Sequence, residues 1–190
     1  MKGCQLVETK NIIGIAGSLR QESLNKYLLQ FMADEEYEGL NIQIESLEEI
    51  PLFNADLETG GDPGPVARWK QKLKKADGIL IVTPEYSHGT PGVLKNALDW
   101  AGSMTNENVL YHKPVMLAGA TPTRMGTGFS QAQLRQTLAA CDAYPLQQPQ
   151  IFIAQAHKLI ENGKVTDEKT ADFLKKAAAS FREWIVQLEK

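Results

Sequence analysis

Short apolar segments alternate with helical patterns along this chain, and this alternation restricts the fold more than any other feature. The segment Gly78–Val82 is apolar throughout, which is typical of a strand covered on both faces of a sheet. Strands that alternate with helices form parallel sheets, because each crossover returns the chain to the same end of the sheet. Right-handed crossovers then place helices on both faces. The sequence therefore predicts an α/β fold, a doubly wound three-layer sandwich around a five-stranded parallel sheet.

The remaining elements are predicted from apolar spacing. Strands are expected at residues 11–16, around Ile42 and Ile44, and at residues 114–118 and 151–153. Helices are expected around residues 24–32, 66–73, 93–98, 129–138 and 173–188. Thr166 is the expected N-cap of the last helix, with Asp167 and Glu168 in its first turn. Residues 54–65 read as a long loop, so residues 1–190 are expected to form one domain.

Charge and cysteine usage exclude several classes of protein. The chain carries 20 basic and 23 acidic residues, a net charge of −3, so it has no basic excess with which to neutralise a nucleic-acid backbone. Cys4 and Cys141 lie far apart and outside any metal-ligand spacing, so both are expected to be structural or incidental thiols. Residues 1–10 lack the apolar region of a signal peptide, and no apolar run approaches the about 18 residues of a membrane helix. We expect a cytoplasmic protein.

Ligands of such sheets bind outside the carboxyl ends of the strands, so three loops are candidates for a site. The first loop, residues 17–25, leads from a strand into a helix, whose N-terminal N–H groups favour an anion. Ser18, Ser23 and Asn25 add neutral donors, and the guanidinium of Arg20 can grip phosphate oxygens. The alternative is a helix cap by Ser18 or Ser23 with a solvated Arg20. The loop matches neither GxxxxGK[ST] nor GxGxxG.

The second loop, residues 83–92, contains prolines and glycines that shape it, and Tyr86 offers a flat amphipathic ring. Glu85 is either part of the site or a solvated carboxylate, and His88 is either catalytic or an exposed imidazole. The third loop, residues 119–128, has small residues that let the backbone approach a ligand, and Arg124 is a candidate for binding a second anion. Its alternative is a flexible loop.

Other catalytic patterns are missing from the sequence. There is no GxSxG elbow, and His88, His112 and His157 form no metal or triad pattern, so a hydrolase is poorly supported. A bound cofactor is therefore expected to carry the chemistry.

Taken together, the loops resemble the NADPH-dependent FMN reductase family, which includes quinone, chromate and azo-dye reductases. The family's phosphate loop reads roughly GSxRxxSxN, and this chain has Gly17, Ser18, Arg20, Ser23 and Asn25 at those positions. The second signature reads roughly PEYNxSxPGxLKNAxDW, and the matching residues are Pro84, Glu85, Tyr86, Pro91, Gly92, Leu94, Lys95, Asn96, Ala97, Asp99 and Trp100. Ser87 replaces the usual Asn, Gly89 replaces the usual Ser, and residues 121–127 keep only part of an SPGxxGG pattern.

The resemblance implies a flavodoxin-like fold with strands in the order 2-1-3-4-5. It implies that FMN binds with its phosphate in the first loop, and that its ring lies along the second loop with the third loop near its pyrimidine edge. The residues that the resemblance assigns to FMN are Ser18, Arg20, Ser23, Asn25, Pro84, Glu85, Tyr86, Ser87, Thr121 and Thr123. It also implies a homodimer or homotetramer with the flavin near the subunit contact.

The expected activity is a ping-pong oxidoreductase in which NADPH or NADH supplies a hydride. The electron acceptor would be a small molecule: a quinone, an azo or nitro compound, a metal oxyanion or free flavin. No catalytic side chain is needed, because the cofactor carries the reaction. Two alternatives remain open, a flavodoxin-type electron carrier and a flavin-binding redox sensor. The mild net charge and Arg20 favour the reductase.

Overall fold

The computed structural model describes residues 7–189, and its strands alternate with helices as the sequence predicts. Residues 1–6, and Cys4 with them, lie outside the described residues. The elements are β1 Lys10–Ala16, α1 Leu24–Asp34, β2 Leu40–Glu45, α2 Gly64–Lys75, β3 Gly78–Val82, α3 Gly92–Ala101, β4 Pro114–Ala120, α4 Gly128–Ala140, β5 Tyr144–Pro145, β6 Ile151–Ile153, β7 Ile160–Glu161, β8 Lys164–Val165 and α5 Glu168–Leu188. Two short 3₁₀ helices span Ala55–Glu58 and Ala156–Lys158.

The main sheet has the order β2-β1-β3-β4-β5, and every pair in it is parallel. This confirms the expected flavodoxin-like order. β3 lies in the centre, and all five of its residues are buried. Since the strands run in one direction, the loops after β1, β3 and β4 meet at one edge.

Helices cover both faces of the sheet, which confirms the three layers. Ile79 and Ile81 of β3 pack into the layer of α2, α3 and α4, whereas Leu80 and Val82 pack into the layer of α1 and α5. Successive strand residues face opposite sides of a sheet, so a strand with helices on both faces must be apolar at every position. Gly78 is the one residue of β3 without a side chain, and a Cβ at this position would lie only 2.8 Å from Phe181.

The fifth position in the sheet is shared by two strands rather than filled by one. The predicted strand at residues 151–153 exists as β6, which pairs with the end of β4, with Ala118 opposite Ile151. β5 pairs with the start of β4, with Pro114 opposite Tyr144. Proline has no N–H to donate to a strand ladder, and Pro145 and Pro149 interrupt what would otherwise be one edge strand.

The start of α5 differs from the prediction, because its N-cap is Asp167 and not Thr166. Asp167 Oδ2 accepts hydrogen bonds from the N–H and the hydroxyl of Thr170 at 2.8 and 2.7 Å. The N–H and hydroxyl of Thr166 instead donate to the carbonyl of Leu159. Thr166 follows a hairpin of β7 and β8 that the sequence analysis missed, and the hairpin occupies its hydrogen-bonding groups.

None of the helices within residues 7–189 combines the length and the apolar character required to cross a membrane.

Candidate functional site

A groove lies where the first, second and third loops meet at the carboxyl edge of the sheet. Backbone hydrogen bonds hold the loops together: Gly17 N–H donates to Val82, and Thr83 N–H donates to Ala118, at 2.9 and 2.8 Å. The groove has a volume of about 320 Å³, near the lower end of the range for ligand sites, roughly 300–1,000 Å³. It is lined by Arg20, Glu22, Ser23, Leu24, Asn25, Pro84, Glu85, Tyr86, Ala120, Thr121, Pro122 and His157.

Seven of the ten predicted site residues line this groove: Arg20, Ser23, Asn25, Pro84, Glu85, Tyr86 and Thr121. The other three are adjacent to them. The Ser18 hydroxyl lies 3.4 Å from the Tyr86 hydroxyl, and the Thr123 hydroxyl lies 3.2 Å from that of Thr121. Ser87 follows Tyr86 and is exposed.

The first loop presents donors at the start of α1. Ser23 is the N-cap, and its hydroxyl accepts from the N–H of Lys26 at 3.5 Å. Leu24 and Asn25 open the helix, so their N–H groups have no intrahelical carbonyl to bind. Arg20 is exposed, and within residues 7–189 its guanidinium has no carboxylate at ion-pair distance. This end of the groove therefore offers a guanidinium and unpaired helix N–H groups as hydrogen-bond donors.

Asn25 is buried and binds the backbone of the third loop. Its side-chain amide donates to the Ala120 carbonyl at 2.9 Å, and its carbonyl accepts from the Ala120 N–H at 2.8 Å. The side chain therefore joins α1 to the end of β4 and retains one N–H that these two bonds do not use.

The second loop turns sharply between Tyr86 and Gly89, which exchange backbone hydrogen bonds of 3.2 and 2.9 Å. The two residues at the tip, Ser87 and His88, have φ of 49° and 58°. Left-handed backbone costs roughly 1–2 kcal/mol for a residue with a Cβ, and such strain is often found at functional sites. The turn leaves Tyr86 48% exposed at the groove.

Glu85 is not the solvated carboxylate of the alternative interpretation. Its side chain is only 9% exposed, and Oε2 accepts from the N–H groups of Phe129 and Ser130 at 2.9 and 3.1 Å. The His88 side chain is 69% exposed, and its Nδ1 lies 3.5 Å from Glu85 Oε1. Its ring packs edge-on against Phe129.

The third loop is held from behind by the segment that follows β6. Thr121 accepts at its carbonyl from Ala156 N–H, and Thr123 accepts from Gln155 N–H, at 2.9 and 2.8 Å. Two backbone hydrogen bonds therefore attach residues 121–123 to the segment after β6. Arg124 is exposed beyond them.

His157 lines the groove and was missed in the sequence analysis. It is exposed on the 3₁₀ helix Ala156–Lys158, which follows β6. The signal was present, because any loop after a parallel strand reaches this same edge of the sheet.

The family model for NADPH-dependent FMN reductases matches residues 10–158, which include all three loops. The chain belongs to this family. Its fold, its oxidoreductase class and its use of FMN with a nicotinamide nucleotide follow from that membership, as the sequence resemblance implied.

Curated relatives of this reductase match over nearly their whole length. It is 35% identical over 178 residues to an NAD(P)H-dependent FMN reductase of Pseudomonas aeruginosa, which covers 93% of this chain and 96% of that protein. It is 35% identical over 173 residues to a 2-hydroxy-1,4-benzoquinone reductase of a Burkholderia species, covering 90% and 93%.

A solved structure is similar in both fold and sequence. The flavoenzyme FerB of Paracoccus denitrificans, an NAD(P)H:acceptor oxidoreductase, superposes with a TM-score of 0.86 and is 32% identical. The match covers 94% of this chain and 98% of FerB.

Proposed function

We propose that residues 1–190 act as one FMN-binding domain that passes electrons from NADPH or NADH to quinones or flavins. The observation that carries this proposal is the position of Arg20. Arg20 is exposed in the loop that leads into α1, and it lines the same groove as Tyr86. An anion-binding end and an aromatic side in one groove suit a phosphorylated flavin.

The first loop has the donors that a phosphate requires. Ser18, Ser23 and Arg20 would hold the phosphate together with the N–H groups that open α1. Two carboxylates also line the groove, and each accepts a hydrogen bond: Glu22 from the Tyr27 hydroxyl and Glu85 from the N-terminus of α4. The bond to Glu22 also raises the pKa of Tyr27.

The second and third loops fit a flat ring with a polar edge. Pro84 and Tyr86 present apolar surface along the groove, and Ser87 follows them on the strained turn. The hydroxyls of Thr121 and Thr123 lie 3.2 Å apart and would face the polar edge of the ring. We propose that Asn25 holds α1 and the third loop together, and that its remaining amide N–H donates to the flavin.

When bound, FMN supplies the hydride-accepting and electron-donating chemistry of the reaction. The side chains of the groove bind and orient the reactants. We propose a ping-pong order, in which the oxidised nicotinamide leaves before the acceptor binds. Azo compounds, nitro compounds and metal oxyanions are proposed as further acceptors. The exposed Arg124 is our candidate for the extra phosphate of NADPH.

We also propose that the chain forms a homodimer, or a homotetramer of paired dimers. Apolar side chains are exposed beside α3, which begins where the second loop ends: Leu52 is 83% exposed and Met104 81%. Phe53 packs edge-on against Trp100 of α3, so this apolar surface is continuous with the helix. Exposed apolar patches of this kind commonly mark subunit contacts. The expected cytoplasmic location stays a proposal, supported by the free thiol of Cys141.

The test is a titration of the purified protein with FMN, followed by stopped-flow mixing of the loaded protein with NADPH or NADH. We expect rapid bleaching of the flavin and then turnover with quinones or free FMN. A loaded protein that is not bleached would be an electron carrier, and bleaching without turnover against quinones, dyes, chromate and flavins would favour a redox sensor. Sedimentation velocity tests the dimer.

A further inference from the structure

The N-terminus of α4 is capped by a residue from a distant part of the chain. Thr127 precedes the helix, and its side chain makes no capping hydrogen bond to the described residues. Glu85 Oε2 accepts from the N–H groups of Phe129 and Ser130, 44 and 45 residues further along. A carboxylate at this end of a helix also interacts favourably with the helix dipole. The cap therefore joins the second loop to α4.

The second loop has further attachments to the first two turns of α4. The hydroxyls of Thr83 and Ser130 lie 3.0 Å apart, and the Thr90 hydroxyl donates to the Ser130 carbonyl at 3.2 Å. The Thr90 N–H donates to Gln133 Oε1 at 3.0 Å. Glu85 supplies the charged contact among these attachments, and it lines the groove between Pro84 and Tyr86.

The strained turn follows Tyr86 directly. Ser87 and His88 have positive φ, and a strained backbone persists only where its surroundings determine it strongly. Tyr86 lies between Glu85 and this turn, with its hydroxyl 3.4 Å from Ser18 in the first loop. The bonds of Glu85 therefore fix the backbone immediately before the exposed Tyr86 ring.

We propose that Glu85 is a positioning residue, whose carboxylate holds Tyr86 and the strained turn in place by capping α4, rather than a residue that acts on the flavin through its charge. This rests on the proposed placement of FMN in the groove. Neither oxygen is isolated, because Oε2 carries both helix bonds and Oε1 faces His88 Nδ1 at 3.5 Å.

The chemistry of the cap predicts which substitutions are tolerated. A single oxygen accepts both N–H groups, so the side-chain carbonyl of Gln, at the same distance from the backbone, can replace it. Asp is one methylene shorter, and Ala has no acceptor. Glu85→Gln should therefore retain the helix cap and the FMN binding that Glu85→Asp and Glu85→Ala lose. If the negative charge itself acted on the ring, Gln would be as damaging as Ala.

Two measurements test this order. In FMN titrations, we expect the dissociation constant of Glu85→Gln to lie within about threefold of the wild-type value, and that of Glu85→Ala to rise about tenfold or more, the scale of a lost charged hydrogen bond. In the FMN-free proteins, the amide hydrogens of Phe129 and Ser130 should exchange faster in the Asp and Ala variants than in the Gln variant. Glu49→Gln, which alters an exposed carboxylate in the pair with Arg68, is the charge-matched control and should change neither quantity.

The proposal is overturned if the Gln and Ala variants bind FMN equally weakly, or if the Ala variant shows wild-type FMN affinity and wild-type exchange at both amides. Should the Ala variant not fold, the comparison of Gln with Asp decides in the same way. A wild-type protein that does not bind FMN would refute the proposed function instead, while the exchange measurement would still test the cap.

Discussion

Asn25 and Ala120 exchange two buried hydrogen bonds, of 2.9 and 2.8 Å, across 95 residues of sequence. The first residue lies in the first turn of α1 and the second ends β4. One side chain thus sets the distance between the loop assigned to the phosphate and the loop assigned to the pyrimidine edge. The arrangement makes Asn25 important for stability and for the shape of the groove at the same time.

Asn25→Ala should lower the free energy of unfolding by about 2–4 kcal/mol, because both backbone groups of Ala120 lose their partners in a buried place. Asn25→Asp should also destabilise the protein, since a carboxylate has no donor for the Ala120 carbonyl. Denaturant unfolding measures both. Gln30→Ala changes the exposed side of the same helix and should stay within about 0.5 kcal/mol of the wild type. A wild-type free energy of unfolding for Asn25→Ala would contradict the pairing.

Arg20→Ala should weaken FMN binding by about 1.5–3 kcal/mol, or roughly 10- to 150-fold, as expected for a hydrogen bond to a charged group. Arg20 is exposed, so the thermal stability of the FMN-free protein should not change. Arg20→Lys keeps the charge but loses the planar guanidinium, so its affinity for FMN should lie between those of the wild type and Arg20→Ala. Fluorescence titration measures all three, with Arg68→Ala, an exposed arginine on α2, as the control. Unchanged affinity in Arg20→Ala would refute the phosphate assignment.

The order of elements was predictable because it depends on local patterns. Residues 78–82 are apolar throughout since both layers of helices pack on them, and this is visible in the sequence alone. The hairpin of β7 and β8 was also within reach, because Asn162 and Gly163 form the dipeptide typical of its turn, with φ of 49° and 77°. The division of the sheet edge between β5 and β6 was harder to predict, since the two residues of β5 leave no periodicity.

The residues of the groove were predictable as a group, whereas the partners of individual side chains were not. The carboxyl ends of parallel strands converge, so the three loops had to meet. The bond from Phe129 N–H to Glu85 joins α4 to the second loop across 44 residues, and no spacing in the sequence encodes it. A carboxylate in a loop looks the same in the sequence whether it is solvated or caps a helix elsewhere. The three-dimensional arrangement was needed to distinguish the two.

Gly119 lies where β4 ends and has no room for a side chain. A Cβ there would lie 2.1 Å from Thr127 Oγ1 and 2.5 Å from the Thr83 carbonyl. Gly119→Ala should therefore destabilise the protein by about 1–3 kcal/mol, as overpacking does, and should displace the second loop from the third. Gly128→Ala is the matched control, because a Cβ there meets nothing within 4 Å, and it should be neutral or slightly stabilising. Thermal unfolding of both variants decides, and equal melting temperatures would contradict the steric account.

Asp167 gives α5 a cap whose contribution depends on pH. The hydrogen bonds from Thr170 lower the pKa of Asp167 below its usual value of 3.8. A lowered pKa means that folding favours the ionised carboxylate. The stabilisation is therefore complete above the pKa of the unfolded chain and is lost as the pH falls through the lower pKa of the folded protein.

Asp167→Ala should lower the melting temperature at pH 7 by about 2–4 °C, the scale of one lost helix cap in a chain of this size. The difference from the wild type should shrink as the pH falls below 3.8, because the wild-type carboxyl is then increasingly protonated. Thr166→Ala removes the neighbouring hydroxyl, which binds Leu159 and does not titrate, so its effect should be the same at every pH. Melting curves between about pH 7 and about pH 3, a range that includes the usual pKa of an Asp carboxyl, distinguish the two variants. A difference for Asp167→Ala that stayed constant over this range would show that the charge of Asp167 does not contribute to the cap.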